Sequence, residues 1–291
     1  WDGPDAAEAV LAHAQRHANQ DSWVQAKTSF TTSKGEKILG LFSPRLTLPQ
    51  EDSQVQQFED HREEFLNSDL TTLDHLMISN LGEPGYWIFD RNKRYPDNSA
   101  SRWEMKTRNR GEEFVGNRLS KLASIVSSLD KDSIDAGLTG RNISDPLGKD
   151  RPDSRTSTGL TPPGPVDDAL AWCGLWGISG FILVPGTGSD ISATAGAVPQ
   201  QRLHPRSLVI PITEKPMSPA AWRALMATRA IIDITSSDES SMTTASDYLK
   251  ARGVLGICTF PVYTTNNSNA PERMVLSGAF HSLNRVPDDL H

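Results

Sequence analysis

The first half of the chain carries apolar residues at helical spacing in some segments and in short apolar or alternating runs in others. The helical spacing predicts helices over residues 5–19, 50–67, 70–80 and 112–129. The short runs predict strands over 36–42, 86–90 and 102–107, with a polar loop over 91–101. The last two strands and this loop predict a β-hairpin that leads into the fourth helix.

The second half is more apolar, and it follows a polar, Gly- and Pro-rich segment over 140–165. Its pattern predicts helices over 166–178, 218–230 and 246–252 and strands over 181–184, 207–212, 254–262 and 274–277. Ser218 and Pro219 have the residue types of an N-cap and a first helical position, and Pro211 indicates an edge position in its strand.

Together these elements predict a mixed α+β fold in two lobes, with short sheets flanked by helices. We expect an N-terminal lobe over 1–140 that contains the basic hairpin and a C-terminal α+β lobe over 166–291. Residues 141–165 are expected to form a loop or linker between them.

Composition narrows the class of protein. The 291 residues include no apolar stretch long enough for a transmembrane helix, so we expect no membrane partner. The polar opening from Trp1 to Asp5 does not resemble a signal peptide, and we expect a soluble, cytoplasmic protein. Cys173 and Cys258 lie in apolar runs typical of buried free thiols. Two cysteines are too few for a disulfide framework.

Charge is unevenly distributed along the chain. The net charge is −7, but residues 91–121 hold nine basic and four acidic side chains, so this basic segment carries +5 and the remainder −12. Lys106, Arg108 and Arg110 alternate along an extended run, which spaces their side chains about 6.5–7 Å apart on one side, close to the phosphate repeat of a stretched single strand. The predicted nucleic-acid-binding residues, which include Arg155 of the polar loop, are Lys93, Arg94, Arg102, Lys106, Arg108, Arg110, Asn117, Arg118 and Arg155.

The same hairpin permits a catalytic alternative. Asp90 ends one strand, and Glu104 and Lys106 lie on the next, which is the arrangement of PD-(D/E)xK nucleases. In such a site the two carboxylates hold Mg²⁺ and the lysine positions the attacking water or stabilises developing charge. A solvent-facing strand also carries residues of these types, so binding and catalysis both remain open.

Other candidate chemistry is weaker. His13 and His17 lie four apart on a predicted helix, but no carboxylate or cysteine close in sequence completes a metal site. We therefore predict no metal and no cofactor. Trp172 and Trp176 lie four apart on an apolar helix, and we predict that both rings belong to the core and do not stack on bases.

Three segments, in order over about residues 85–230, resemble a subtype-specific subunit family of type I-G (formerly I-U) CRISPR systems. They are Trp87 with Trp103-Glu-Met-Lys-Thr, then Pro165-Val-Asp-Asp-Ala-Leu-Ala-Trp-Cys-Gly-Leu, then Leu208-Val-Ile-Pro-Ile with Lys215-Pro-Met-Ser-Pro-Ala-Ala-Trp-Arg-Ala-Leu. Residues 1–80 lack the family's opening motif. The resemblance implies a subunit of an RNA-guided (Cascade-like) effector complex that contacts guide RNA, target DNA or neighbouring effector subunits, while base pairing supplies sequence specificity.

Three functions follow from the sequence. The first is a non-catalytic nucleic-acid-binding subunit of a type I CRISPR surveillance complex, with no catalytic residue of its own. The second is an Mg²⁺-dependent nuclease that uses Asp90, Glu104 and Lys106. The third is an unrelated globular interaction protein.

Overall fold

The protein has a mixed α+β fold made of two compact units. The computed structural model describes residues 5–32, 35–42, 51–82, 88–90, 93–95, 101, 114–146, 165–184, 193–200, 202, 204–266 and 273–284. Of these, the first unit contains the residues up to Tyr95 and from Phe114 to Ile178, and the second contains Ser101 and the residues from Ser179 onward.

Helices dominate the first unit. They are α1 (Ala6–Ala18), α2 (Asp52–Leu66), α3 (Thr72–Leu81), α4 (Ser120–Val126), α5 (Lys131–Leu138) and α6 (Asp168–Trp176). Their starts follow local chemistry, since the carboxylates of Asp5, Asp130 and Asp167 each accept a hydrogen bond from a backbone N–H of the first turn. The four predicted helices of the first half are therefore present.

Two antiparallel hairpins belong to the first unit. Strand β1 (Lys27–Thr32) pairs with β2 (Gly35–Gly40), and β3 (Ile88–Asp90) pairs with β4 (Lys93–Tyr95). The predicted loop over 91–101 is therefore wrong at Lys93–Tyr95, which pair with β3. The strand predicted over 102–107 lies outside the described residues.

The core of the first unit forms where α1, α4, α5 and α6 pack together. Its largest fully buried side chains include Trp23, Phe42, Phe58, Met77 and Trp172. Helix α6 thus belongs to the first unit and not to the C-terminal lobe that its sequence position predicts. The helix packs against α4 and α5 with Trp172 and Trp176 buried, and the division between the units falls after Ile178.

The second unit is built on an antiparallel sheet. Strands β7 (Ala197–Val198), β8 (Ser207–Thr213) and β9 (Val254–Thr264) pair in that order, and β10 (Arg273–Val275) and β11 (Ala279–Ser282) both pair with β9. A separate pair is formed by β5 (Leu183–Val184) and β6 (Ala193–Thr194). Helices α7 (Pro219–Met226), α8 (Ala230–Asp233) and α9 (Glu239–Ala251) complete the unit.

One face of this sheet packs against the helices. Val209 and Ile257 from the strands are buried with Leu225, Met226 and Leu249 from α7 and α9. The predicted strand over 207–212 and helix start at Ser218 are confirmed, since the Ser218 hydroxyl accepts from Ala221 N at 3.2 Å. Within the described part of the chain, no helix combines the length and apolarity needed to cross a membrane.

Candidate nucleic-acid interface

The structure describes four of the predicted nucleic-acid-binding residues. Lys93 and Arg94 lie on β4, in register with Asp90 and Phe89 of β3. Asn117 and Arg118 lie on the helical turn that precedes α4. The remaining predicted binding residues fall outside the described part of the chain, namely Arg102, Lys106, Arg108, Arg110 and Arg155.

The turn that carries Asn117 and Arg118 is wider than an α-helix. The amide of Leu119 donates to the carbonyl of Phe114 at 3.0 Å, five residues earlier, and Ser120 N bonds likewise to Val115 O. Such π-helical turns often mark functional sites, because the extra residue changes which side chains face outward. Here Val115 and Leu119 are buried while Arg118 between them is exposed.

Arg118 and Lys121 differ from Lys131 and Arg141 of the first unit. They are three residues apart on the exposed side of one helical segment, and no acidic side chain of the described residues pairs with either. By contrast, Lys131 lies 3.0 Å from a carboxylate oxygen of Glu8, and Arg141 pairs with Asp135. Exposed cations without an acidic partner among the described residues are available to a phosphate backbone.

The nuclease alternative is described only in part. Asp90 is the last residue of β3 and is paired in register with Lys93. Glu104 and Lys106 lie outside the described residues. The arrangement of these three residues as a catalytic set therefore stays a prediction.

A second group of polar residues is buried inside the first unit. We call it the histidine cluster and define it as His13 and His17 of α1, Ser22, Trp23, Asp74 of α3, and Trp172 and Trp176 of α6. His17 Nε2 lies 3.2 Å from Asp74 Oδ1, and Trp23 Nε1 donates to the same oxygen at 3.0 Å. The other oxygen, Oδ2, accepts from the hydroxyl and the amide of Thr71 at 2.6 and 2.8 Å.

The cluster links three helices. Trp172 Nε1 donates to His13 Nδ1 at 3.1 Å, so α6 is bonded to α1. The Trp176 ring lies against both histidines, with centroid distances of 4.4 Å to His13 and 4.8 Å to His17. Trp172 and Trp176 are 1% and 5% exposed, which confirms the prediction that they are core residues.

Burial and hydrogen bonding shift two pKa values in the cluster. Burial lowers the pKa of His13 to about 4, and the influence of His17 acts in the same direction. Burial by itself would raise the pKa of Asp74, but hydrogen bonds from His17, Thr71 and Trp23 lower it well below its ordinary range. His13 is therefore neutral and Asp74 ionised at neutral pH.

Ser22, His17 and Asp74 have the residue types of an acyl-transfer triad, but their setting is structural. Ser22 Oγ lies 2.9 Å from His17 Nδ1 and also accepts from Val24 N at 3.2 Å. His17 is only 1% exposed and is enclosed by aromatic rings, so a substrate has no access to its imidazole. The network fixes α1 against α3 and α6 and does not activate the hydroxyl.

The structure changes one premise of the sequence analysis. No carboxylate close in sequence completes a metal site with His13 and His17, but the fold brings Asp74, more than fifty residues later in the chain, to 3.2 Å from His17. Its signal was the Thr71-x-x-Asp74 spacing of a capping box, which is formed in the structure. Among the described residues, no group of three potential ligands has the geometry to hold a metal ion.

The second unit contains an open cavity of about 480 Å³ between α8 and α9. Hydroxyl groups line much of it, and its two charged side chains, Arg229 and Asp233, pair with each other at 3.2 Å. Because that pair neutralises its own charge, the cavity lacks the excess positive charge that an anion site needs.

Comparison of the chain with protein families, with curated proteins and with solved structures gives no match.

Proposed function

We propose that this chain is a cytoplasmic, non-catalytic, nucleic-acid-binding subunit of a type I CRISPR effector complex. The observation that carries the proposal is the basic segment, a +5 run of residues 91–121 in a chain whose net charge is −7. Segregated positive charge is the electrostatic footprint of contact with a phosphate backbone. The ordered resemblance over about residues 85–230 supplies the assignment to an RNA-guided complex.

One structural feature supports the binding role. Arg118 and Lys121, at the end of the basic segment, are exposed on a helical segment that is anchored by Val115, Leu119 and Leu122 in the core. A rigid support lowers the conformational entropy lost when the cations engage a ligand. The acidic remainder of the chain suits contact with basic neighbouring subunits.

Charge reversal tests the binding role. Replacing Lys106, Arg108 and Arg110 with Glu should weaken binding of a labelled single strand and flatten its dependence on salt. If each residue neutralises one phosphate, the slope of log affinity against log salt falls by about two. The double variant Arg118→Glu/Lys121→Glu should act in the same direction.

The matched control is the triple variant Lys215→Glu/Lys250→Glu/Arg252→Glu, which changes the net charge equally at exposed positions of the second unit. Circular dichroism establishes that each variant is folded. An affinity and a salt slope that are unchanged in the hairpin variant, or equally changed in the control, would contradict the proposal.

The second candidate function is the Mg²⁺-dependent nuclease, favoured by the position of Asp90 at the end of a strand. Glu104→Ala separates the two functions. In a nucleic-acid clamp the substitution removes a negative charge and leaves binding equal or slightly tighter. In a nuclease it removes a metal ligand and abolishes cleavage while binding persists. Plasmid, single-stranded DNA and RNA incubated with Mg²⁺ or Mn²⁺ provide the assay.

A further inference from the structure

The sheet of the second unit has a face turned away from its helices. The strand register shows which residues lie on this face, because residues directly opposite each other on antiparallel strands share a face. Ile210 and Phe280 both pair with Cys258, Ile212 pairs with Gly256, and Leu208 pairs with Phe260. Val209, Pro211 and Ile257 alternate with these residues and are buried on the helix side. We call the outward side, from Phe260 to Ile212 and Phe280, the open face.

Large apolar side chains on the open face are exposed. Phe280 is 56% exposed and Ile212 is 39% exposed. Leu208 is buried and Phe260 is half-buried, so the exposed part of the open face lies at Ile212 and Phe280. Adjacent exposed apolar groups on one surface mark contact sites more often than single ones do.

Both phenylalanine rings of the open face lie over glycines. A Cβ atom added at Gly256 would overlap the ring of Phe280, and one added at Gly278 would lie 2.5 Å from ring carbons of Phe260. Each glycine therefore leaves room for a ring to lie close to the backbone of the neighbouring strand. The ring of Phe280 is held on one side by Gly256 and retains more than half of its surface toward solvent. A flat, fixed and accessible aromatic ring can stack on a nucleobase.

The charge of this sheet suits a polyanion. Strands β7 to β11 contain no aspartate or glutamate. The carbonyl of Arg206 accepts from Val262 N at 2.9 Å, which continues the β8–β9 register and places this exposed arginine at the end of the open face. If the open faces of two copies of the chain packed together, each would bring Arg206 and no strand carboxylate to the contact. A nucleic acid instead brings phosphates for the arginine and bases for the aromatic rings.

We propose that the open face binds single-stranded nucleic acid, with unpaired bases stacked on Phe280 and Phe260 and a phosphate on Arg206. The residues of this site belong to the second unit, whereas Arg118 and Lys121 belong to the first, and the proposal does not depend on the CRISPR assignment. Stacking requires bases that are not paired in a helix, so the face selects single strands over duplexes.

The test is fluorescence anisotropy with a labelled oligothymidine or oligouridine of about twelve nucleotides. Phe280→Ala should weaken binding about tenfold, as the loss of one base–aromatic stack does. Phe280→Leu keeps the apolar bulk but loses the aromatic ring, and should weaken binding similarly. Phe280→Tyr keeps the ring and should bind with the affinity of the parent. Val184→Ala is the matched control, because Val184 is 58% exposed on β5, which is not part of this sheet. Binding of a duplex of equal length should not respond to Phe280→Ala.

Cys258 gives a local readout, since it lies opposite Phe280 and is a half-buried free thiol. In a Cys173→Ser background, bound oligonucleotide should slow alkylation of Cys258 by a maleimide. Unchanged alkylation at saturating oligonucleotide would place the ligand elsewhere and overturn the proposal.

Other outcomes also decide the matter. The proposal fails if the parent binds no single strand, or if Phe280→Ala binds it as the parent does. It also fails if the parent is a dimer that Phe280→Ala converts to a monomer without a change in affinity, because the face is then a self-association surface. Phe280→Ala removes no charge and leaves the salt slope unchanged, whereas reversal of Lys106, Arg108 and Arg110 changes it, so failures of this proposal and of the proposed function are distinguishable.

Discussion

The histidine cluster of the first unit and the open face of the second unit are opposite departures from the usual arrangement of residues. The cluster buries the polar side chains of Asp74 and His17, whereas the open face exposes the apolar side chain of Phe280. Buried polar groups and exposed apolar groups are the informative exceptions in a folded protein. Each exception has its own physical explanation, and the two explanations predict different consequences of mutation.

In the cluster, hydrogen bonds offset the burial. Three donors from Trp23 and Thr71 bond the carboxylate of Asp74, and His17 Nε2 lies 3.2 Å from it. Such a network stabilises the fold when every member is satisfied and destabilises it when one is removed. Nothing comparable offsets the exposure of Phe280, which contributes little to its own unit and remains available for contact. We therefore expect substitutions in the first region to change stability and substitutions in the second to change binding.

The largest expected effect is on stability in the cluster. Trp172→Ala removes a fully buried ring and the hydrogen bond to His13, and should lower the free energy of unfolding by about 3–5 kcal/mol. Urea denaturation followed by circular dichroism measures it. A variant of normal stability that had lost only nucleic-acid binding would show that the tryptophan is a ligand contact.

A smaller loss is expected for Asp74→Asn. The amide keeps the shape but loses the charge and one acceptor, so donors from Thr71, Trp23 or His17 are left without a partner at a cost of about 1–3 kcal/mol. Asp60→Asn is the control, because Asp60 is exposed and accepts a surface hydrogen bond from Gln56. Equal stability of the two variants would show that the hydrogen bonds to Asp74 do not stabilise the fold.

Acidification should weaken the same region. The pKa of His13 is about 4 in the folded chain and about 6.5 when unfolded, so between these values the unfolded chain binds more protons. Stability from this group is complete above pH 6.5 and falls as the pH drops toward 4. Asp74 adds a loss of the same sign at still lower pH, because its folded pKa lies below its ordinary value.

Thermal melts between pH 7 and 4 measure this loss, and His13→Gln should reduce it. His75→Gln on the exposed side of α3 should leave the pH dependence as it is in the parent. A parent whose melting temperature rises on acidification over this range would contradict the sign.

The smallest effect on stability is expected at the open face. Phe280→Ala should change the free energy of unfolding by about 0.5 kcal/mol or less, as most exposed substitutions do. Paired with the tenfold loss of affinity, this would separate binding from folding. Destabilisation as large as that of Trp172→Ala would mean that Phe280 is a structural residue.

Local chemistry made much of the fold predictable from the sequence. Asp5 caps α1, and Ser218 and Pro219 begin α7 as their residue types predict. The edge position predicted for Pro211 is also explained. Strand β7 pairs with β8 at Ser207 and Leu208 and does not extend to Pro211, so no β7 carbonyl needs the N–H that proline lacks. Each of these signals lies within a few residues of the feature that it specifies.

Long-range pairing set the limit of prediction. Strand β11 was not predicted, because its four residues contain no alternation that distinguishes them from a loop, and its pairing with β9 reverses the chain through residues about twenty positions away. The same is true of the contact between His17 and Asp74, which depends on how α1 and α3 pack. The thiols of Cys173 and Cys258 are free as predicted but half-buried, since flanking apolar residues do not specify which way a side chain faces.

The proposed role in an RNA-guided complex is tested most directly by co-purification. The chain would be expressed with the genes adjacent to its own, purified through a tag on the chain, and analysed for bound nucleic acid by its absorbance ratio and by sequencing. We expect the chain to elute with partner subunits and RNA of defined length, with RNA removed by high salt and reduced in the Lys106→Glu/Arg108→Glu/Arg110→Glu variant. Elution of the chain alone and free of nucleic acid, at low salt and with its neighbours present, would contradict the account.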